Sequence, residues 1–112
     1  ASSQVLVPAS SRGSLGLTGN FVYLQLKPIS PKTFAVDVEV LTADKFVCRV
    51  TVSNMFRVFR RRGNVIQVPA DLGDCWYTLA LDLGALLTRY KDHAHSAEFW
   101  CLKSISIRPN VL

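Results

Sequence analysis

The segment T-F-A-V-D-V-E-V-L, residues 33–41, constrains the fold more than any other part of the chain. Apolar side chains occupy every second position: Phe34, Val36, Val38 and Val40. Asp37 and Glu39 stand between them. Because successive side chains of a β-strand point to opposite faces of the sheet, this period predicts a strand with its valine face in the core and its acidic face toward water.

The next segment, K-F-V-C-R-V-T-V-S at residues 45–53, repeats the alternation after the turn T-A-D-K. We predict an antiparallel hairpin of these two strands, in which Arg49 and Thr51 are exposed. The predicted buried set is Phe46, Cys48, Val50 and Val52. In this pairing Arg49 lies near Asp37 or Glu39, so a cross-strand charge pair explains it without any binding role.

Short strand patterns also occupy most of the remaining chain, at residues 4–7, 20–27, 64–69, 75–83 and 99–108. The period changes at residues 84–91, which predicts a helix of two to three turns with Asp82 as its cap. About six short strands with one or two short helices indicate an all-β fold, an antiparallel β-sandwich of jelly-roll type. A chain of 112 residues is about one domain long.

Composition excludes several classes of protein. An apolar fraction of 49% and a charged fraction of 19% are typical of a folded domain and not of a disordered chain. No apolar run approaches the roughly 20 residues that span a bilayer, so we expect no membrane partner. Cys48, Cys75 and Cys101 are an odd number at wide spacing, which predicts a reducing, cytoplasmic setting without disulfides.

Few residues are candidates for catalysis or metal binding. We predict that the chain is not an enzyme and binds no cofactor or metal. His93 and His95 could form half of a metal site, but no third ligand stands at a recognisable spacing, which favours solvated loop histidines. Paired carboxylates are the other candidate, at Asp71, Asp74 and Asp82, yet D-L-G-D is equally typical of a turn.

The segment M-F-R-V-F-R-R-R-G-N, residues 55–64, is the most unusual in the chain. We interpret it as a helix that begins at Asn54 and ends at Gly63, with its apolar residues Met55, Phe56 and Phe59 packed inward. The predicted partner-binding residues are the four arginines: Arg57, Arg60, Arg61 and Arg62. Four like charges without an interleaved acid, in a chain of net charge +5, favour an acidic partner.

A family resemblance runs through these same segments. T-F-A-V-D-V-E-V-L, V-C-R-V-T-V-S-N, V-I-Q-V-P and W-Y-T-L-A-L-D-L follow one another in the order and spacing of the flagellar inner-junction family, the cilia- and flagella-associated protein twenty domain. Q-V-L-V-P, S-L-G-L-T-G-N-F-V-Y-L-Q-L-K-P and S-N-M-F-R-V-F resemble in particular the copy that precedes WD repeats in large centriolar proteins. Family members carry further strands at both ends, so we expect residues 1–112 to be the central part of one such domain.

The resemblance implies a structural module that binds tubulin and neighbouring inner-junction proteins where the B-tubule closes onto the A-tubule. The expected location is the cytoskeleton of the centriole or basal body, or the ciliary axoneme. Two alternatives remain open at this point. A nucleic-acid-binding module requires exposed aromatic side chains beside the arginines, and is less favoured. A carbohydrate-binding sandwich requires Trp76, Tyr77 or Trp100 as an exposed platform.

Overall fold

The computed structural model describes residues 5–7, 18–26, 33–70 and 76–109. Within these ranges the chain forms eight strands and one short helix, in agreement with the predicted all-β fold. The elements are β1 Val5–Val7, β2 Phe21–Leu26, β3 Phe34–Thr42, β4 Val47–Ser53, β5 Arg60–Arg62, β6 Val65–Pro69, β7 Tyr77–Asp82, α1 Leu83–Arg89 and β8 Phe99–Pro109.

The strands form two sheets, as expected for a sandwich. One sheet has six strands in the order β1-β8-β3-β4-β6-β5, and the other pairs β2 with β7. The predicted hairpin of β3 and β4 is present, with Val38 opposite Val50. One pair departs from the antiparallel prediction, since β4 and β6 are parallel. After β4 the chain forms β5 at the edge of the sheet. It then reverses into β6, which lies between β4 and β5 and runs parallel to β4.

The core lies against the valine face of β3 and β4. Val36, Val38 and Val40 are fully buried, as predicted from the two-residue period. Of the predicted buried set of the next segment, Cys48, Val50 and Val52 are also fully buried, whereas Phe46 lies before β4 and is only half-buried. Ile66 and Val68 of β6 extend this face, and the opposite side of the core is supplied by Val22, Leu81, Leu83 and Leu87. The second sheet and the helix therefore cover the valine face together.

Helix α1 has the predicted cap Asp82, and it spans Leu83–Arg89 where the sequence predicted residues 84–91. The Asp82 carboxylate accepts a hydrogen bond from the Ala85 backbone N–H at 3.0 Å, which satisfies a donor that the first helical turn leaves without a partner. Arg89 lies in the last turn, where a cation interacts favourably with the helix dipole. Leu83 and Leu87 are the buried side chains of the helix, four positions apart on one face.

The outer face of the six-stranded sheet differs from the prediction, because Asp37 and Thr51 are buried. Asp37 is only 6% exposed, and its two carboxylate oxygens accept hydrogen bonds from the Thr51 hydroxyl at 2.6 Å and from Arg108 Nε at 2.7 Å. Side chains of β4 and β8 thus cover a carboxylate that alternation placed in water. Alternation gives the face of a residue, whereas the neighbouring strands decide whether water reaches it.

The next acidic residue of β3 forms the predicted charge pair. Arg49 Nη2 lies 3.2 Å from Glu39 Oε2, and the Ser104 hydroxyl donates to Glu39 Oε1 at 2.8 Å. Partial burial raises the pKa of Glu39, but the hydrogen bonds from Ser104 and Arg49 outweigh it and leave that pKa below its usual value.

These two arginine–carboxylate pairs yield a matched prediction. Arg108→Met should lower the free energy of unfolding by about 1–3 kcal/mol, because the buried Asp37 carboxylate loses a charged donor. Arg49→Met should cost about 0–1 kcal/mol, since its pair with Glu39 is exposed to solvent. Urea denaturation of both variants measures the difference. Equal losses would contradict the assignment of Asp37 as the carboxylate that depends on its partner.

Candidate partner-binding edge

The arginine segment is not a helix. A turn follows β4, in which the Phe56 backbone N–H donates to the Ser53 carbonyl at 3.4 Å, and the chain then runs without regular structure to β5. The Asn54 side chain accepts a hydrogen bond from the Phe34 backbone N–H at 3.0 Å and so serves the start of β3. The helical interpretation was wrong because the three consecutive arginines pair with β6 and form a short antiparallel strand.

Gly63 belongs to a hairpin turn and not to a helix end. Arg62 pairs with Val65, so Gly63 and Asn64 form a two-residue loop between β5 and β6. Gly63 has a φ of +61°, in the left-handed region that glycine enters without steric cost. The glycine therefore ends the basic segment by reversing the chain.

Strand geometry divides the three arginines of β5 between two faces. Arg60 and Arg62 are exposed on the outer face of the sheet. Arg61 points the other way and its side chain is only 15% exposed. Among the described residues Arg57, Arg60 and Arg62 have no ion-pair partner. Of the four arginines predicted as a binding set, these three are available to a partner.

Arg61 connects β5 to the end of helix α1. Its Nη1 donates to the Tyr90 carbonyl at 2.8 Å, its Nε donates to the Gly63 carbonyl at 2.8 Å, and its Nη2 lies 3.8 Å from an Asp92 carboxylate oxygen. Tyr90 is the C-terminal cap of α1, where carbonyl groups lack helical partners and attract a cation. The Arg61 side chain thus holds the edge strand in place.

The apolar residues of the segment are mostly on the surface. Met55 is 38% exposed and Phe59 is 51% exposed, while Phe56 is half-buried, so the expectation of three inward anchors was wrong. The Phe59 ring stacks on Tyr90, with centroids 6.3 Å apart and an angle of 4° between the planes. We define the β5 surface as the exposed side chains of this segment: Met55, Arg57, Val58, Phe59, Arg60 and Arg62.

Within the described residues, the other predicted sites do not assemble into a centre for catalysis or metal binding. No group of three or more histidine, cysteine or acidic side chains among the described residues could hold a metal ion. Cys48 and Cys101 are buried free thiols, and burial raises the pKa of Cys48. Asp71, Asp74 and Cys75 lie outside the described residues.

The histidine loop packs on the turn between β3 and β4. His93 is exposed, but the ring of His95 stacks on Phe46 with centroids 3.5 Å apart and lies 3.5 Å from the Asp44 carboxylate. Asp44 also accepts hydrogen bonds from the Thr42 hydroxyl and the Ser96 backbone N–H, which lower its pKa to about 2. His95 is therefore a packing residue and only His93 is the solvated loop histidine that we expected.

Trp76 and Trp100 are both exposed, so burial does not exclude the alternative of a carbohydrate-binding module. The two rings lie at different places in the fold, however, since Trp76 precedes β7 of the two-stranded sheet and Trp100 lies in β8 of the six-stranded sheet. A sugar platform brings its rings onto one concave face. Two rings on separate segments of the chain do not supply that arrangement by themselves.

The structure defines a β-sandwich module with an exposed basic sheet edge. The whole chain, residues 1–112, matches the CFA20 domain, and the chain belongs to the CFA20 domain family. This confirms the family resemblance drawn from the sequence. The described residues contain no helix that is long and apolar enough to cross a membrane.

Curated relatives share this domain within much longer proteins. Centriole proteome protein 16 of Chlamydomonas reinhardtii is 37% identical over 93 residues, which cover 80% of this chain and 4% of that protein. WD repeat-containing protein 90 of Homo sapiens is 31% identical over 127 residues, and that of Mus musculus is 32% identical over 127 residues. Each of these two alignments covers 100% of this chain and 7% of the relative. The chain thus spans less than a tenth of the length of these relatives.

The contacts of Arg61 predict that the arginines of β5 differ in their effect on stability. Arg61→Ala should lower the free energy of unfolding by about 1–3 kcal/mol, because the Tyr90 carbonyl loses a charged donor. Arg60→Ala should change it by less than about 0.5 kcal/mol, as for an exposed side chain without a partner. Thermal and urea denaturation measure both effects. A larger loss for Arg60→Ala than for Arg61→Ala would overturn the division of the strand into two faces.

The lowered pKa of Asp44 predicts that this residue contributes to the stability of the fold in a pH-dependent way. Because its folded-state pKa is lowered, the carboxylate stabilises the fold above the unfolded pKa near 4, and this contribution is lost as pH falls through about 2. Asp44→Asn should therefore lower the melting temperature at neutral pH, and the difference from wild type should shrink in acid. Glu98→Gln, which removes an exposed carboxylate nearby, is the control. A pH-independent difference for Asp44→Asn would contradict the assignment.

Proposed function

We propose that this chain is a non-enzymatic structural module that binds microtubules through the β5 surface. The observation that carries the proposal is the set of three exposed arginines, Arg57, Arg60 and Arg62, none of which has an ion-pair partner among the described residues. Tubulin presents an acidic surface, and complementary charge favours both the rate and the specificity of association. The exposed Met55, Val58 and Phe59 supply apolar area beside these charges.

The family and the names of the relatives support the cellular setting. One relative is called a centriole proteome protein and others are called WD repeat-containing proteins, and the chain belongs to the CFA20 domain family. We therefore propose the cytoskeleton of the centriole, basal body or ciliary axoneme as the location. Within it we propose the inner junction of doublet or triplet microtubules as the position, with neighbouring junction proteins as further partners.

Anchoring of the edge strand supports a structural role. Arg61 donates to the Tyr90 carbonyl at the end of α1, and Phe59 stacks on Tyr90, so β5 is held to the body of the sandwich from one side. No described residue makes such a contact with its outer face. A contact surface held in this way loses little conformational freedom when it binds. Such a surface can transmit load between two protofilaments without any covalent chemistry.

Co-sedimentation with taxol-stabilised microtubules tests the proposal. The variant Arg57→Glu, Arg60→Glu, Arg62→Glu should lose binding by at least about tenfold, because three attractive charges become repulsive. The matched control reverses three cations outside the β5 surface, Lys45→Glu, Lys91→Glu and Lys103→Glu, and so carries the same net charge. Equal pelleting of the two variants would contradict the role of the β5 surface.

The nucleic-acid alternative has its own test. Binding of an RNA or DNA oligonucleotide should fall steeply as salt rises and should quench an exposed aromatic side chain such as Phe59. We expect no shift of labelled oligonucleotides at low salt. A salt-dependent shift that Arg60→Glu and Arg62→Glu abolish would favour nucleic acid over tubulin.

A further inference from the structure

Strand β5 is the last described strand of its sheet, and no described strand pairs with its outer edge, which we call the open edge. The loop of two residues closes the pair Arg62–Val65, so the backbone groups of Arg62 and Arg60 face β6. The backbone N–H and C=O of Arg61 then point to the open edge, where no described strand pairs with them. This edge is a template for one more strand.

Two rows of side chains cross the outer face of the sheet and end at this edge. The first row runs through Ser106, Asp37, Thr51, Gln67 and Arg60. The second row runs through Ser104, Glu39, Arg49, Val65 and Arg62. Each row passes from one strand directly to the residue opposite it on the next strand.

Inside the rows, the carboxylates of Asp37 and Glu39 each accept hydrogen bonds from side chains of both neighbouring strands. Asp37 accepts hydrogen bonds from Thr51 on one side and Arg108 on the other, and Glu39 accepts from Arg49 and Ser104. At the end of the rows this pattern breaks, because Arg60 and Arg62 have no described strand beyond them. The next position in each row is therefore a place for an acidic side chain.

We propose that the open edge of β5 binds an extended acidic peptide as an additional strand, and that this peptide is the glutamate-rich tail of tubulin. Acidic residues at alternate positions of the added strand would face Arg60 and Arg62, since side chains two positions apart lie on one face about 6.6–6.8 Å from each other. The Arg61 backbone would supply the hydrogen bonds of the new ladder. This inference rests on the proposed function, and it names which part of tubulin the β5 surface takes.

A charged edge strand has another common role, which is to prevent pairing with other chains. Arginines at an edge repel basic partners and disfavour the approach of apolar strands. Acidic strands are the exception, because the same charges then attract. The two roles separate experimentally, because only strand addition needs the backbone of the peptide.

The first experiment uses a short fluorescein-labelled peptide that alternates glutamate and threonine, with this chain as the titrant and fluorescence anisotropy as the readout. The matched control is the same peptide with its alternate backbone nitrogens methylated, which keeps the charge and removes the donors. We expect the methylated peptide, in either register of methylation, to bind at least about tenfold more weakly. Equal affinity would overturn strand addition, because charge would then account for all of the binding.

Protein variants test the side-chain part of the proposal. Arg60→Glu with Arg62→Glu should lower affinity for the unmethylated peptide by at least about tenfold. Lys45→Glu with Lys103→Glu has the same net charge and should bind nearly as well as wild type. Circular dichroism and thermal denaturation confirm that both variants fold. Equal weakening in the two variants would contradict a site at Arg60 and Arg62.

Microtubules whose tubulin tails have been removed with subtilisin connect this inference to the proposed function. Loss of pelleting on trimmed microtubules, with binding to intact ones, supports the tail as the occupant. Unchanged pelleting on trimmed microtubules would overturn this inference and leave the proposed function standing. Failure to pellet with intact microtubules would overturn the proposed function, whatever the peptide does.

Discussion

Burial of the valine face of β3 and β4 is the interaction on which the rest of the structure depends. Val36, Val38 and Val40 pair across the hairpin with Val52, Val50 and Cys48, and all six side chains are fully buried. Burial of each valine contributes about 1.5–3 kcal/mol before the entropic cost of folding is subtracted. A slip of one residue would turn the valines to solvent and the acids to the core, so this face determines the register of the sheet.

That register has consequences across the outer face. Once Val38 lies opposite Val50, Asp37 must lie opposite Thr51 and Glu39 opposite Arg49. Ser106 and Ser104 of β8 lie in the same two rows of side chains, and β6 and β5 continue these rows as far as Arg60 and Arg62. The position of the basic edge is thus linked, strand by strand, to a hydrophobic pairing at the centre of the sheet. Arg60 and Arg62 point outward for the same reason that the valines point inward.

The C-terminal end of helix α1 holds the edge strand from the other side. Leu83 and Leu87 place the helix on the core, and the C-terminal cap at Tyr90 then presents a carbonyl to Arg61 and a ring to Phe59. Arg89 adds to this junction, since its guanidinium carbon lies 5.7 Å from the centre of the Tyr90 ring. One arginine of the basic segment thus stabilises the fold, and its neighbours on either side remain available for binding.

The sequence by itself determined the all-β class, the β3–β4 hairpin, the Asp82 cap of α1, a cross-strand pair of Arg49 with Asp37 or Glu39, and the family. Each of these follows from a local period, a local cap or the order of several motifs along the chain. Only the tertiary structure decided that Asp37 is buried, that residues 60–62 form a strand, and that Arg61 differs from Arg60 and Arg62. The burial of Asp37 and the anchoring of Arg61 depend on partners far away in sequence, Arg108 and Tyr90, and the strand at residues 60–62 depends on its pairing with β6. Three residues are too few to show the two-residue period of a strand, so the sequence pattern of this segment favoured a helix. Only pairing with a neighbouring strand decides its conformation.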